Sequence, residues 1–323
     1  PEPMVKFLKL YEKIGIFIFL VAGGVFLSFA SPYFLKGDTI LNIVTQGTYG
    51  AIVGFGMTLA ITIGGFDLSV DAVMSLTSVF LSILIPVAGI PLAILVSVII
   101  ACSVGLINGL IITKLKVNPL ITTLAMMTII KGVALLVAGG RQIVIHQKVF
   151  MELGTGKTLG IPNPIYIMIV LFVIFYFLLY HTPFGRHISA VGSNENAARI
   201  SGLKVDLIKI LTFVLVSFTA SIAGTIRTSQ TLIGIPTMSP GFVLVAITVT
   251  ILGGTSLSGG KGNLWGTLFA GVFISMIYYG LNLIGVQIFY QMLSVGLVLI
   301  FALFIDGIRN RYLETIKAKG IKV

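Results

Sequence analysis

A Gly-Lys-Thr run can wrap backbone amides and an ammonium around a phosphate, and Gly154-Thr155-Gly156-Lys157-Thr158 is the first place where this sequence could do such chemistry. A phosphate loop also needs glycine five residues before the Gly-Lys pair, where Met151 stands, and no strand precedes it. Leu257-Ser258-Gly259-Gly260-Lys261 imitates an ATPase signature in the same way, but no nucleotide-binding domain surrounds it, so it reads as a glycine-rich turn. His146, His181 and His187 have no paired ligand spacing, and the one cysteine, Cys102, lies in an apolar run. No catalytic, cofactor-binding or metal site is therefore expected on this chain. Asp67 and Asp71 stand four apart at the start of an apolar run. They read as a cap and a first-turn acid on one helix face, both favoured by the helix dipole.

These residues are embedded in 323 residues that are 57% hydrophobic and only 10% charged, with a mean hydropathy of +1.10. A soluble domain carries about a quarter charged residues. Crossing ~30 Å of hydrocarbon takes about 20 mostly apolar residues, so the chain has room for roughly ten crossings and no second soluble domain. The net charge of +11 is spread through short loops with no basic face, which indicates membrane orientation and excludes nucleic acid as a partner.

Apolar runs bounded by charges, Gly and Pro predict helices over 14–30, 43–63, 68–85, 91–113, 120–138, 165–180, 208–227, 242–257, 264–284 and 288–305. Lys6, Lys9, Lys13 and the run from Ile14 to Ala30 imitate a signal peptide, but 17 apolar residues fit an uncleaved first helix better. With the amino terminus inside, most Lys and Arg fall in cytoplasmic loops and tails, and Lys36, Lys131, Arg141, Lys148, Lys157 and Arg227 fall at the outer side. The positive-inside rule then predicts an even number of crossings and both termini in the cytoplasm. The expected fold is an all-α polytopic membrane protein of about ten transmembrane helices, one or more of them short or broken. It forms one transmembrane domain over 1–323, with an extracytoplasmic loop at 139–163 and a cytoplasmic loop at 181–206. The eighth run is the weakest, because only Phe242 to Leu252 is free of Gly and Pro. The pairs Gly50/Gly54, Gly105/Gly109 and Gly262/Gly266 have the spacing that lets helices approach closely. Gly64-Gly65-Phe66-Asp67-Leu68-Ser69 is echoed by Gly253-Gly254-Thr255-Ser256-Leu257-Ser258, six residues that do not establish a repeat.

In the 181–206 loop, Ser193-Asn194 offers capping oxygens, Glu195 favours a helix start and Gly202 supplies a left-handed stop. Glu195 to Ser201 is predicted to be a two-turn helix.

Asn196-Ala197-Ala198-Arg199-Ile200-Ser201-Gly202 resembles the Glu-Ala-Ala-x-x-x-Gly loop of ABC importer permeases, with Asn in place of Glu. From about Ser31 to Asp306 the chain is similar to the ribose-type (simple sugar) ABC importer permease family. The likeness runs through Gly64 to Val70, His181-Thr182-Pro183-Phe184-Gly185-Arg186, Gly192 to Glu195, Leu252 to Gly262 and Gly280 to Leu283. Asp71 departs from the pattern, which usually has Gly there.

The resemblance implies a permease subunit in the bacterial cytoplasmic (inner) membrane that pairs with a second permease copy, expected as a homodimer. It also implies cytoplasmic ATPase subunits that use the ATP, docked through Ser193, Asn194, Glu195, Asn196, Ala197, Ala198, Arg199 and Gly202. The implied solute is a small sugar, ribose or a similar pentose or hexose, delivered by an extracytoplasmic binding protein. Polar groups suited to a sugar path are Gln46, Asp67, Asn108, Asn118, Thr122, Asn282 and Tyr290. The alternative left by composition is an ion-coupled secondary transporter. Its buried coupling charges would have to be Asp67 or Asp71, because the other acids lie at loops or ends.

Overall fold

The computed structural model describes the backbone of residues 2–318 and the side chains of 15–304 and 307. The terminal charges used for orientation, from Lys6 to Lys13 and from Arg309 to Lys322, lie outside the described side chains.

The chain is a helical bundle: α1 (Glu2–Ala30), α2 (Gly37–Thr62), α3 (Val70–Ala88), α4 (Ile90–Lys114), α5 (Pro119–Ala138), α6 (Glu152–Thr155), α7 (Asn163–His181), α8 (Pro183–Ser193), α9 (Glu195–Ile200), α10 (Val205–Thr231), α11 (Phe242–Leu252), α12 (Leu264–Leu283) and α13 (Ile288–Ala318). Each apolar run read from the sequence centres on one of these helices, although the run 242–257 overshoots α11 by five residues, and among the described residues six helices are long and apolar enough to cross a membrane: α3, α4, α5, α7, α10 and α12. Among the described residues, Gly15–Ala30 of α1, Phe242–Leu252 and Ile288–Phe304 of α13 are further apolar helical stretches.

The core is built around α2, which is buried without interruption from Gly47 to Thr62. A helix buried on all sides belongs to the middle of a bundle, and α12, α10, α11 and α7 surround it. The pair Gly105/Gly109 serves close packing of α4 on α10. Built Cβ atoms at Gly105 and Gly109 would meet the α10 backbone at Val214 and Ile210 at 2.8 and 2.7 Å. Buried Phe55, Phe175, Leu59 and Val216 belong to the apolar core around α2.

Two connections differ from the sequence reading. The 181–206 loop holds two helices, because Thr182 caps an additional one: its Oγ1 accepts from the Gly185 N–H at 3.3 Å, and Pro183 occupies the first turn of α8. The 139–163 loop contains a short hairpin of β2 (Lys157–Thr158) with β3 (Ile161–Pro162), preceded by α6. Before it, β1 (Ile143–Val144) pairs antiparallel with β4 (Ile233–Gly234), Ile143 opposite Gly234. Gly154 to Thr158 thus forms a helix end and a hairpin edge, not a phosphate cradle.

The echoed hexapeptides are the same helix stop used twice. Gly64 N–H donates to Ile61 O and Gly65 N–H to Ala60 O, while Gly254 N–H donates to Ile251 O and Thr255 N–H to Thr250 O. Both are closures of the Schellman kind.

Candidate functional site

The eighth run is a half-length helix. α11 has 11 residues, about 16 Å at 1.5 Å per residue. It opens at Gly241, after a stretch from Ile235 to Gly241 with no helical or strand pairing. Bare backbone at membrane depth must be satisfied by protein or by water. Here α3 does it. Ser78 Oγ accepts from the Ile235 N–H at 3.1 Å, Ser75 Oγ from the Met238 N–H at 3.1 Å, and Asp71 Oδ2 from the Gly241 N–H at 3.4 Å. Residues 71, 75, 78 and 82 share one helix face, and Ser82 abuts Gly234. This polar stripe was available in the sequence as Asp-x-x-x-Ser-x-x-Ser-x-x-x-Ser on a largely apolar run.

Asp71 is also paired across helices, its Oδ2 3.2 Å from Lys131 Nζ on α5. Lys131 is therefore not at an outer helix end, since α5 continues seven residues beyond it. Near a helix centre an unpaired lysine costs about 3 kcal/mol to insert, and Asp71 offsets that. Asp67 lies ahead of α3, not on its face, and Ser69 is the residue at the cap position. Asp67 Oδ1 accepts from the Ser69 N–H at 2.8 Å and its hydroxyl at 2.5 Å, and Asn108 Nδ2 donates to Ser69 Oγ at 3.1 Å.

Among the seven residues expected to line a path, hydrogen bonds join two pairs. Asp67 and Asn108 meet through Ser69. Asn118 caps α5 by accepting from the Leu120 N–H at 2.9 Å, and Thr122 hydroxyl donates back to Asn118 O at 3.0 Å. Gln46 is exposed on α2, Asn282 is exposed near the end of α12, and Tyr290 is exposed in the first turn of α13. The groups that sequence reasoning missed are the α3 stripe and Lys131.

The α9 helix has the expected cap. Asn194 Oδ1 accepts from the Ala197 N–H at 2.9 Å, worth about 1 kcal/mol. Ser193 instead closes α8, donating to Ser189 O at 2.8 Å. Gly202, at φ +84°, turns the chain out of α9 with its N–H on Arg199 O. Ala198 is buried, while Asn196 and Arg199 face outward. Ions tie α9 to the bundle: Arg199 reaches Glu195 at 3.3 Å and Asp206 at 3.0 Å, Lys209 reaches Glu195 at 2.6 Å, and Lys114 reaches Asp206 at 3.1 Å. Beside this network lies a cleft of about 610 Å³ lined by Lys116, Asn118, Asn196, Arg199 and Lys209. At the far end of α8, a Cβ on Gly192 would collide with Thr62 O. Gly260 N–H donates to the same Thr62 carbonyl at 2.8 Å. The end of α2, the segment α8–α9 and the turn after α11 therefore meet at one point.

Burial alone would raise the Glu195 carboxyl, but Lys209 and then Arg199 outweigh it and hold the group below its ordinary value. Lys114 and Arg199 do the same for Asp206. A depressed carboxylate stabilises the fold above its unfolded value and loses that contribution as pH falls through the folded one. Amide exchange of α9, corrected for intrinsic rate, is expected to be flat from about pH 8 to 5 and to rise only below about pH 4. A rise near neutrality would show that these ion pairs do not hold α9.

The family model described as branched-chain amino acid transport system / permease component matches residues 39–303. The ribose import permease protein RbsC of Bacillus subtilis (strain 168) is 40% identical over 94% of this chain and 96% of its own length. RbsC of Haemophilus influenzae is 37% identical over 90% and 92%. The L-arabinose ABC transporter permease protein AraH of Azospirillum brasilense is 34% identical over 96% and 91%. No solved structure matches the chain. A family match across most of the helical bundle, together with relatives aligned over nearly their whole length, establishes that the chain belongs to the branched-chain amino acid transport system permease family, among its ribose-type ABC importer permeases.

Proposed function

We propose that this chain is the membrane-spanning subunit of an ATP-driven importer that moves ribose or a similar small sugar delivered by an extracytoplasmic binding protein. One observation carries the choice of solute. The family model is described by amino acid transport, yet the curated relatives at 31 to 40% identity are ribose and L-arabinose permeases aligned over at least 86% of this chain. In this reading the chain crosses the bacterial cytoplasmic membrane about ten times, with both termini on the ATPase side, and works beside a second copy of itself. The network around Arg199 and the cleft beside α9 face the ATPase subunits. The contact of Gly192 and Gly260 with Thr62 O carries their movement into α2 and α11. ATP is bound and hydrolysed by those partners.

Proteoliposomes holding this chain with its ATPase and binding-protein subunits test the reading. ATP-dependent accumulation of ribose or arabinose is the expected result, with no uptake when a proton or sodium gradient replaces ATP. Gradient-driven uptake by this polypeptide alone would overturn it in favour of a secondary transporter.

A further inference from the structure

We propose that Lys131 stands on the wall of the solute path and donates hydrogen bonds to the hydroxyl groups of a passing sugar, with Asp71 as its anchor. Lys131 is the thirteenth residue of the 20 in α5, between stretches of apolar sequence. Its side chain is 32% exposed, while its partner Asp71 is 2% exposed. One contact to Asp71 Oδ2 leaves ammonium donors free, since the group has three. An exposed lysine at this depth is tolerated where it faces a water-filled cavity, not lipid.

The backbone beside it points the same way. Gly241, whose N–H is held by the same Asp71 oxygen, has open space where a Cβ would stand, and Thr237, Pro240 and Gly241 are exposed. Non-helical backbone at membrane depth is stable where it lines water or is covered by protein. A cationic donor, a non-helical backbone stretch and the opening of a half-length helix are thus grouped on one exposed strip. A neutral, hydroxyl-rich solute fits it, because its oxygens accept from the ammonium without displacing the Asp71 ion pair.

The ligand in this inference rests on the sugar-importer reading; the wet wall does not. In the assembled transporter with Cys102→Ala, Lys131→Cys and Thr237→Cys are expected to react with a membrane-impermeant methanethiosulfonate. Leu159→Cys on the exposed hairpin serves as the reactive control and Ile174→Cys on the apolar face of α7 as the inert one. Inert Lys131→Cys beside a reactive Leu159→Cys overturns the wall.

For the contact itself, Lys131→Gln is expected to lower ribose uptake about tenfold, with a smaller fall in ATPase activity, so fewer sugars move per ATP. Lys131→Arg should restore the ratio. Where Lys131→Gln fails to accumulate because it strands Asp71, the double variant D71N/K131Q leaves no bare charge and carries the same measurement. A sugar-to-ATP ratio equal to wild type overturns the contact even if labelling succeeds. A wild-type complex that moves neither ribose nor arabinose overturns the sugar as ligand, while the labelling still decides the wall.

Discussion

The segment that leads into α11 is expected to leave its seat on α3 about 30 times more often when Ser75 and Ser78 are both changed to alanine, and transport to fall with it, although the variant is more apolar and inserts at least as well as the wild type. Each hydroxyl accepts a backbone N–H of the segment that leads into α11, from Met238 and from Ile235. Ser75 is 2% and Ser78 0% exposed, so water does not replace them in the packed state. Stranding a buried donor costs about 1–3 kcal/mol, and two come to at least about 2 kcal/mol if they add. Because every 1.4 kcal/mol is tenfold, the segment then leaves its seat on α3 about 30 times more often. Ser75→Thr, which keeps the acceptor, should behave nearly as wild type. Release of the segment is read directly from the thiol reactivity of Thr237→Cys, which should rise in the double variant as uptake falls. Wild-type uptake with unchanged reactivity would show that the hydroxyls do not hold the segment.

Much of the fold was legible because Gly and Pro punctuate this sequence. The eighth run was drawn over 242–257, but only its part free of Gly and Pro, Phe242 to Leu252, forms α11, bracketed by Gly241 and Gly253. The cap of α9 was equally local: Asn194 before a helix and Gly202 after it need no distant partner. What was lost was relational. Counting apolar residues averages over Ser75, Ser78 and Ser82, and it hides a stripe whose partners lie more than 150 residues away. The run over 120–138 was read through Lys131, but its charge was counted with the outer side, because the acid that pairs with it, Asp71 on α3, is distant in sequence. The local bonds of two path residues have a related cause. The path residues were chosen by side-chain type, and in a helix bundle short polar side chains find the nearest backbone group first, as Thr122 and Asn118 do.

Charge reversal at Arg199 should separate the two halves of the machine, leaving the bundle inserted and reducing recovered ATPase by roughly tenfold or more. Arg199 bridges Glu195 on α9 and Asp206 on α10, and Lys209 and Lys114 hold the other oxygens of those acids. In Arg199→Glu three carboxylates face one another where one guanidinium stood. The repulsion falls on a helix of six residues that has little internal hydrogen bonding to resist it. The ion pairs are exposed, so each alone contributes little. The expected effect comes from losing the orientation of α9 and the basic rim of the adjacent cleft together. Arg199→Lys retains the charge and should keep most of the binding. Replacing 195–201 by a flexible linker should remove it altogether, with the rest of the bundle still protected from protease. Equal co-purification of the ATPase with wild type, Arg199→Glu and the linker variant would place docking elsewhere. Loss in the linker variant alone would assign docking to the backbone of α9 and not to the charge of Arg199.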